Sequence, residues 1–283
     1  MRWSIGAAVF VGLSALVSGD GSVDKLLEEA RAALAGGKTD EALKLADRAV
    51  AQAPDDARAI FLRGVIRAAR REPAEAIRDF DKAIAVDPKL ADAYDRRGSE
   101  HFKLGHIREA LADFDRYLEL QPQEKNGHWR RGIALYYAGR FDEGRQQFEA
   151  YQKVDTNDVE NAVWHFLCVA RLHGVERARK ELLPIGRDRR VPMMQVYDLF
   201  AGKLQPADVL AAVDADQPDA AQRRVRLFYA HQYLGFYFEI MGERTRSLEH
   251  MTLAAEKYRI PQYMGDVARV HVELRRRELP KEK

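Results

Sequence analysis

The chain has 283 residues, 46% hydrophobic and 32% charged, and its 46 Lys and Arg against 44 Asp and Glu give a formal charge of +2. This globular composition excludes a disordered or fibrous chain, and the balanced charge excludes a strong general attraction to nucleic acid or anionic membranes. A single cysteine, Cys168, excludes an intramolecular disulfide and a multi-cysteine zinc site.

The first element is not expected to join the fold. Met1 and Arg2 precede an almost uncharged run from Trp3 to Val17, and the small polar stretch from Ser18 to Ser22 comes next. A positive start, a short apolar core and small residues form the pattern of a secretory signal peptide, here residues 1–19. The run falls short of the ~20 residues that cross a bilayer as a helix. The alternative is an uncleaved N-terminal anchor. No cysteine lies near, so a lipid-attachment site is absent. The expectation is an exported protein, periplasmic or membrane-associated in the cell envelope, with membrane contact at most peripheral or through this segment.

From residue 23 the chain repeats itself. Pro54, Pro88 and Pro122 are spaced by 34, and so are Gly64, Gly98 and Gly132. Ala42, Ala76, Ala110 and Gly144 form a third series with that spacing, and Phe80, Phe114 and Phe148 a fourth. Four series in one phase define four repeats, 23–56, 57–90, 91–124 and 125–158. Each predicts two helices. In the third, Ala91 to Leu104 and Ile107 to Leu120 are joined by a turn at Gly105-His106 and stopped by Pro122. A mid-helix glycine such as Gly98 costs about 1 kcal/mol relative to alanine. The expected compensation is close approach of the partner helix, with Ala76 and Ala110 as holes and Phe80 and Phe114 as knobs.

Tyr94-x2-Arg97-Gly98, Ala110-x3-Phe114 and Pro122, with Gly132, Gly144 and Phe148 in phase, resemble the tetratricopeptide repeat, and the resemblance covers about half the chain. It implies an all-α right-handed helical solenoid of antiparallel helix pairs. Departures are Ala46 at the aromatic position of repeat one, Thr156 at the proline position of repeat four, and Tyr117 and Tyr151 at positions where the family has alanine.

After Asp158 the period weakens while helical spacing continues. Residues 159–227 read as a degenerate repeat (Val159 to Leu172, then Glu176 to Leu183 with Ala178 in phase) succeeded by a helical insert. The insert comprises a basic loop, Gly186 to Pro192, and helices at Met193 to Phe200, Pro206 to Val213 and Ala220 to Met241. The phase returns at Tyr233, Gly235 and Gly242, with Ser247, Met251 and Ala254, so 228–261 reads as a further repeat. Residues 262–283 would form a polar capping helix and tail. This irregular C-terminal helical extension gives the chain a layout similar to bacterial envelope tetratricopeptide lipoproteins of the new-lipoprotein-I type. That resemblance implies docking of envelope proteins.

Chemistry is sparse. No nucleophile motif, phosphate-binding glycine loop or zinc-helix motif is present. His165 and Cys168 share a helix face and His173 lies just beyond, but a fourth ligand is lacking, so packed side chains are the expectation and no metal site is expected. Asp113 and Asp115 read as a solvated helix face among Arg108 and Arg116, without the cleft that acid–base catalysis needs. No catalytic residue and no cofactor is expected.

What remains is surface. The resemblance implies a concave groove lined by the second, fifth, ninth and twelfth positions of each repeat. Those positions carry Arg58, Phe61 and Val65, then Asp92, Asp95, Ser99 and Phe102, then Asn126, Trp129, Ile133 and Tyr136. Aromatic anchors beside polar groups suit a bound peptide. The competing reading makes Phe61, Ile133 and Tyr136 interhelix core, and Trp129 is the preferred anchor. Leu27 and Arg31 stand where the carboxylate clamps of chaperone-binding relatives begin, which argues against capture of a C-terminal carboxylate. Arg177, Arg179, Arg187, Arg189 and Arg190 form a second candidate surface for an anionic partner. The reading is a non-enzymatic scaffold or adaptor for a protein or peptide partner, with no nucleic acid bound. The alternative is a structural protein that self-associates, as a homodimer, through its C-terminal helices.

Overall fold

The computed structural model describes residues 21–278; residues 1–20, which include the expected signal peptide, and 279–283 lie outside them. In chain order the helices are α1 (Gly21–Ala35), α2 (Thr39–Gln52), α3 (Ala57–Ala69), α4 (Pro73–Val86), α5 (Ala91–Lys103), α6 (Ile107–Leu120), α7 (Trp129–Tyr137) and α8 (Phe141–Tyr151). They continue as α9 (Val159–His173), α10 (Val175–Lys180), α11 (Met193–Phe200), α12 (Pro206–Ala211), α13 (Ala220–Ile240), α14 (Arg244–Thr252) and α15 (Tyr263–Glu278). Among the described residues there is no strand, and consecutive helices pair through short turns, as the all-α tetratricopeptide pattern requires. The packing divides the chain into one unit up to Arg96 and another from Arg97 onward.

The first unit is built on small side chains. Ala42, Ala46 and Ala49 on α2 are fully buried against Val23, Leu27 and Ala30 of α1 and Leu62 and Ile66 of α3. In repeat two the mid-helix glycine serves as expected: a Cβ on Gly64 would lie 2.7 Å from the Phe80 ring. Asp79, 1% exposed, precedes that phenylalanine and draws two arginines of α3, Arg63 at 2.7 Å and Arg67 at 2.8 Å. Its carboxylate is thus neutralised by two partners where water is excluded. The α3–α4 turn carries Arg71 at φ 63°, the left-handed region. The corresponding residue of the later repeats is glycine, Gly105 and Gly139, both at φ 74°.

The second unit repeats both devices. A Cβ on Gly98 would meet Phe114 at 2.9 Å, and one on Gly132 would meet Phe148 at 2.6 Å. Arg97 donates two hydrogen bonds to Asp113, at 2.9 and 2.6 Å. The pairing places Asp113 in the interior at 5% exposure, which corrects its reading as part of a solvated face. In repeat four the acidic partner has become Gln147, and Arg131 turns to Asp115 at 2.6 Å, keeping a 3.4 Å contact with Gln147. The last repeat obeys the same spacing, since a Cβ on Gly235 would lie 2.9 Å from Met251, sixteen residues on.

Two stretches differ from expectation. Pro122–Gly127 is a turn of 3₁₀ helix, and α7 begins only at Trp129, capped by His128, whose Nδ1 accepts from the Arg131 amide at 3.2 Å. Asn126 therefore sits in the turn, exposed, and not on the first helix of repeat four. Proline at the start of this stretch and Asn126-Gly127 at its end are poor helix formers, and a capping side chain two residues later wins. The second helix of the degenerate repeat also stops early, at Lys180. The loop after it is pinned by Arg190, which bonds Asp188 at 2.5 Å, Asp158 at 2.8 Å and Glu160. Tyr233 of α13 donates to the same Glu160 at 2.7 Å, so one guanidinium fastens the loop to the start of α9 and, through Glu160, to α13.

Candidate partner-binding face

The inner-face residues of the repeats do not share one fate. On α3, Arg58, Phe61 and Val65 are all partly exposed. Phe61 rests on Phe80 with centroids 5.8 Å apart, and Arg58 is held by Asp56 at 2.6 Å and Asp24 at 3.0 Å. At the fifth and ninth positions further along, Asp95 is 9% exposed, Ser99 5% and Ile133 1%, while Trp129 stays partly exposed; at the twelfth, Phe102 is 0% and Tyr136 2%. Ile133 and Tyr136 are core. Tyr136 packs edge-on against Phe141 and Trp164, and its hydroxyl accepts from Arg171 at 3.3 Å. Ser99 is engaged by Arg130 at 3.0 Å.

What closes this part of the face is α15. Tyr263 stacks on Phe102 at 5.4 Å and meets Trp129 edge-to-face at 5.3 Å. Arg269 donates to the carbonyl of Lys103, the last residue of α5, at 2.6 Å. That carbonyl is one of the orphan acceptors at a helix C-terminus, where a cation is also favoured by the helix dipole. A Cβ on Gly105 would lie 4.0 Å from Leu274. The expected polar capping helix therefore has a large buried face: Val267, Ala268, Val270 and His271 are all 0% exposed. Its other anchor is Glu239 of α13, which takes Arg275 at 2.7 Å and Arg171 at 2.5 Å and has His271 Nε2 at 3.2 Å. Burial holds His271 down to about 4, so the ring is neutral, with Nδ1 beside the Tyr137 hydroxyl at 3.1 Å.

The basic surface is largely self-neutralised. Arg177 pairs with Glu181, and Arg179 with Glu176 at 2.7 Å. Arg190 does not belong to it, since it is spent on three carboxylates beneath the loop. Arg187 and Arg189 remain exposed. Cys168 is buried, its thiol pushed up by desolvation, and it fills the space beside Gly144, where a Cβ would lie 2.9 Å from its sulfur. Neighbouring His165 has Glu149 at 3.3 Å. Among the described residues no group of three or more His, Cys, Asp or Glu is placed to hold a metal ion, and no helix is long and apolar enough to cross a membrane.

Sequence reasoning missed Tyr263, Arg269 and Leu274. A signal existed: Tyr263, Val270 and Leu274 recur at helical spacing in a segment otherwise read as polar.

Comparison with known proteins agrees with this architecture. The tetratricopeptide repeat family profile matches residues 27–91 and 96–158. Among solved structures, a tetratricopeptide repeat protein from Parabacteroides merdae is 16% identical and superposes with a TM-score of 0.58 over 90% of this chain and 99% of its own. MamA from Desulfovibrio magneticus, residue 41 to its end, is 17% identical, with a TM-score of 0.53 over 58% of this chain and 92% of its own. At these identities the likeness is one of fold. Comparison with curated proteins gives no match.

Proposed function

This chain is a tetratricopeptide repeat protein, and from that premise we propose that it is a non-catalytic interaction scaffold holding a segment of a partner protein against α3. One observation carries the reading. Phe61 and Val65 keep accessible surface, whereas Val65's counterparts Ser99 and Ile133 are buried and Phe61's aromatic counterpart Trp129, partly exposed, is faced by Tyr263. An aromatic ring backed by Phe80, with the Arg58 guanidinium one turn away and fixed by Asp56 and Asp24, offers an apolar anchor beside a held polar pair. Such a face suits a peptide segment with one large apolar side chain flanked by polar groups.

The setting proposed is the cell envelope, on the strength of the Met1–Ser22 pattern. Intact-mass measurement of the native protein should show loss of roughly the first 19 residues. A soluble cytoplasmic protein that retains Met1 would contradict this. The binding reading is tested by a photo-crosslinking amino acid placed in turn at positions 61, 65 and 133 in the native host. Crosslinks to another protein are expected from 61 and 65 and not from buried 133. Crosslinks confined to the chain itself would remove α3 from the site, and crosslinks to a second copy would favour self-association.

A further inference from the structure

We propose that the loop between α10 and α11 docks an acidic, extended segment of a partner protein, with Arg187 and Arg189 reading carboxylates two residues apart. The proposal rests on the reading of the chain as a scaffold and goes beyond it, because this loop shares no residue with α3.

The loop is held in place before any ligand arrives. Residues 182–189 contain no helix, yet they are fastened to the α8–α9 loop, residues 152–158. The Gln152 side-chain amide donates to the Pro184 carbonyl at 2.7 Å, the Gly186 N–H to the Thr156 carbonyl at 3.3 Å, and the Arg187 N–H to Asn157 Oδ1 at 2.9 Å. Beneath them Asp158, Glu160 and Asp188 all turn to Arg190. Three carboxylates of the region are thus drawn inward onto one guanidinium.

What stays outside is mostly positive. Arg187 and Arg189 are exposed, and Asp188 between them is buried. A period of two is that of extended chain, so the two arginine side chains leave one face about 7 Å apart. Neither has an ion-pair partner among the described residues, and nor does Lys153 on the facing loop; Asp155 is the exposed carboxylate set against the three. Beside Lys153 stands Val154, 58% exposed.

These features select the ligand. Alternate side chains of an extended peptide also recur at about 7 Å, so carboxylates at i and i+2 meet both guanidinium forks at once. Val154 offers an apolar contact to a neighbouring residue of the same peptide. The fixed backbone means that binding orders little of this chain. An anionic bilayer is the competing partner, but polybasic membrane contacts gather about four to eight cations, and three opposed by an aspartate fall short.

The test uses the full chain and two fluorescent peptides as probes. In Leu-Gly-Glu-Thr-Glu-Gly the carboxylates have the matching spacing; in Leu-Gly-Glu-Glu-Thr-Gly they do not. The first should bind at least about threefold more tightly than the second. Arg187→Gln/Arg189→Gln should weaken its binding at least about tenfold with an unchanged melt, since both side chains are exposed and unpaired. Arg177→Gln, which removes a cation already paired with Glu181, should bind as the parent does. No measurable binding of the first peptide, equal affinity for the two, or a double variant that binds as the parent does would each overturn the proposal. So would binding to phosphatidylserine vesicles, lost in the double variant, with no preference between the peptides; that result would assign the surface to a membrane. Crosslinking from position 61 reads the α3 site independently, so either reading can fail while the other stands.

Discussion

At the scale of single residues, the fold rests on glycines whose missing Cβ is filled by a neighbour's ring. Gly98→Leu would drive a branched side chain into Phe114, whose ring already stands 2.9 Å from where a Cβ would be. Overpacking of this kind costs about 1–3 kcal/mol, so the thermal midpoint should fall clearly, and an unchanged midpoint would contradict the assigned contact. Histidines make a second residue-scale prediction. His101, His165, His231, His250 and His271 are all held below the usual histidine value, chiefly by burial, with His231 and His271 down to about 4. His231 and His250 also face each other, Nδ1 to Nδ1, at 2.9 Å, so both cannot carry a proton comfortably. A base kept neutral in the fold stabilises it above its unfolded pKa near 6.5, and that contribution is lost as pH falls toward 4. Asp158, raised to about 6 by burial and by Glu160, works the other way as pH rises through the same range. Five groups outweigh one, so melts at pH 4.5 should lie below those at pH 7; a flat or rising profile would contradict this. The glycine contacts were legible because four series shared one period. The Arg63–Asp79 and Arg97–Asp113 pairs carry the same 34-residue phase, but charged side chains on a helix usually read as solvated, and the sequence holds no sign of which ones the neighbouring helix covers.

At the scale of elements, the turn inside each repeat needs a left-handed residue. Repeats one, three and four place Gly37, Gly105 and Gly139 there, and repeat two places Arg71 at φ 63°. A side chain in that region costs roughly 1–2 kcal/mol, part of which glycine gives back through its freer unfolded chain. Arg71→Gly should therefore raise stability by about 0.5–1 kcal/mol in denaturant melts. A loss of stability would mean that the arginine's own contacts outweigh the strain. Helix boundaries in the third repeat were readable almost to the residue, because Gly105 and Pro122 punctuate it. They failed at the start of repeat four, where Pro122–Gly127 forms a 3₁₀ turn and His128 caps α7. At α15 the helix itself was readable to within a residue, but its charged residues suggested an open end and hid its buried face. Its buried stripe faces two elements at once, and the partner helices lie more than a hundred residues back in the chain, beyond the reach of any local pattern.

At the scale of the molecule, repeat arithmetic identified the family, and the irregular insert between 159 and 227 was readable only as helices. Its organising feature, one arginine holding three carboxylates, joins positions that no spacing rule connects. The binding face was legible as a set of positions. Which of them stay open was not, because openness depends on α15 and on how deeply each first helix is packed. Phe102, Ile133 and Tyr136 are consumed by the chain itself, and Phe61 and Val65 are not. The central claim is that the partner is held at α3. Its most direct test is the affinity of the partner crosslinked at position 61 for the parent chain, for Phe61→Ala and for Ile133→Val. Truncating a desolvated aromatic anchor costs about 2 kcal/mol, roughly 30-fold in affinity, so Phe61→Ala should bind about 30-fold more weakly with a melt that leaves it folded at the assay temperature, and Ile133→Val should bind as the parent does. Unchanged affinity for Phe61→Ala would contradict the account.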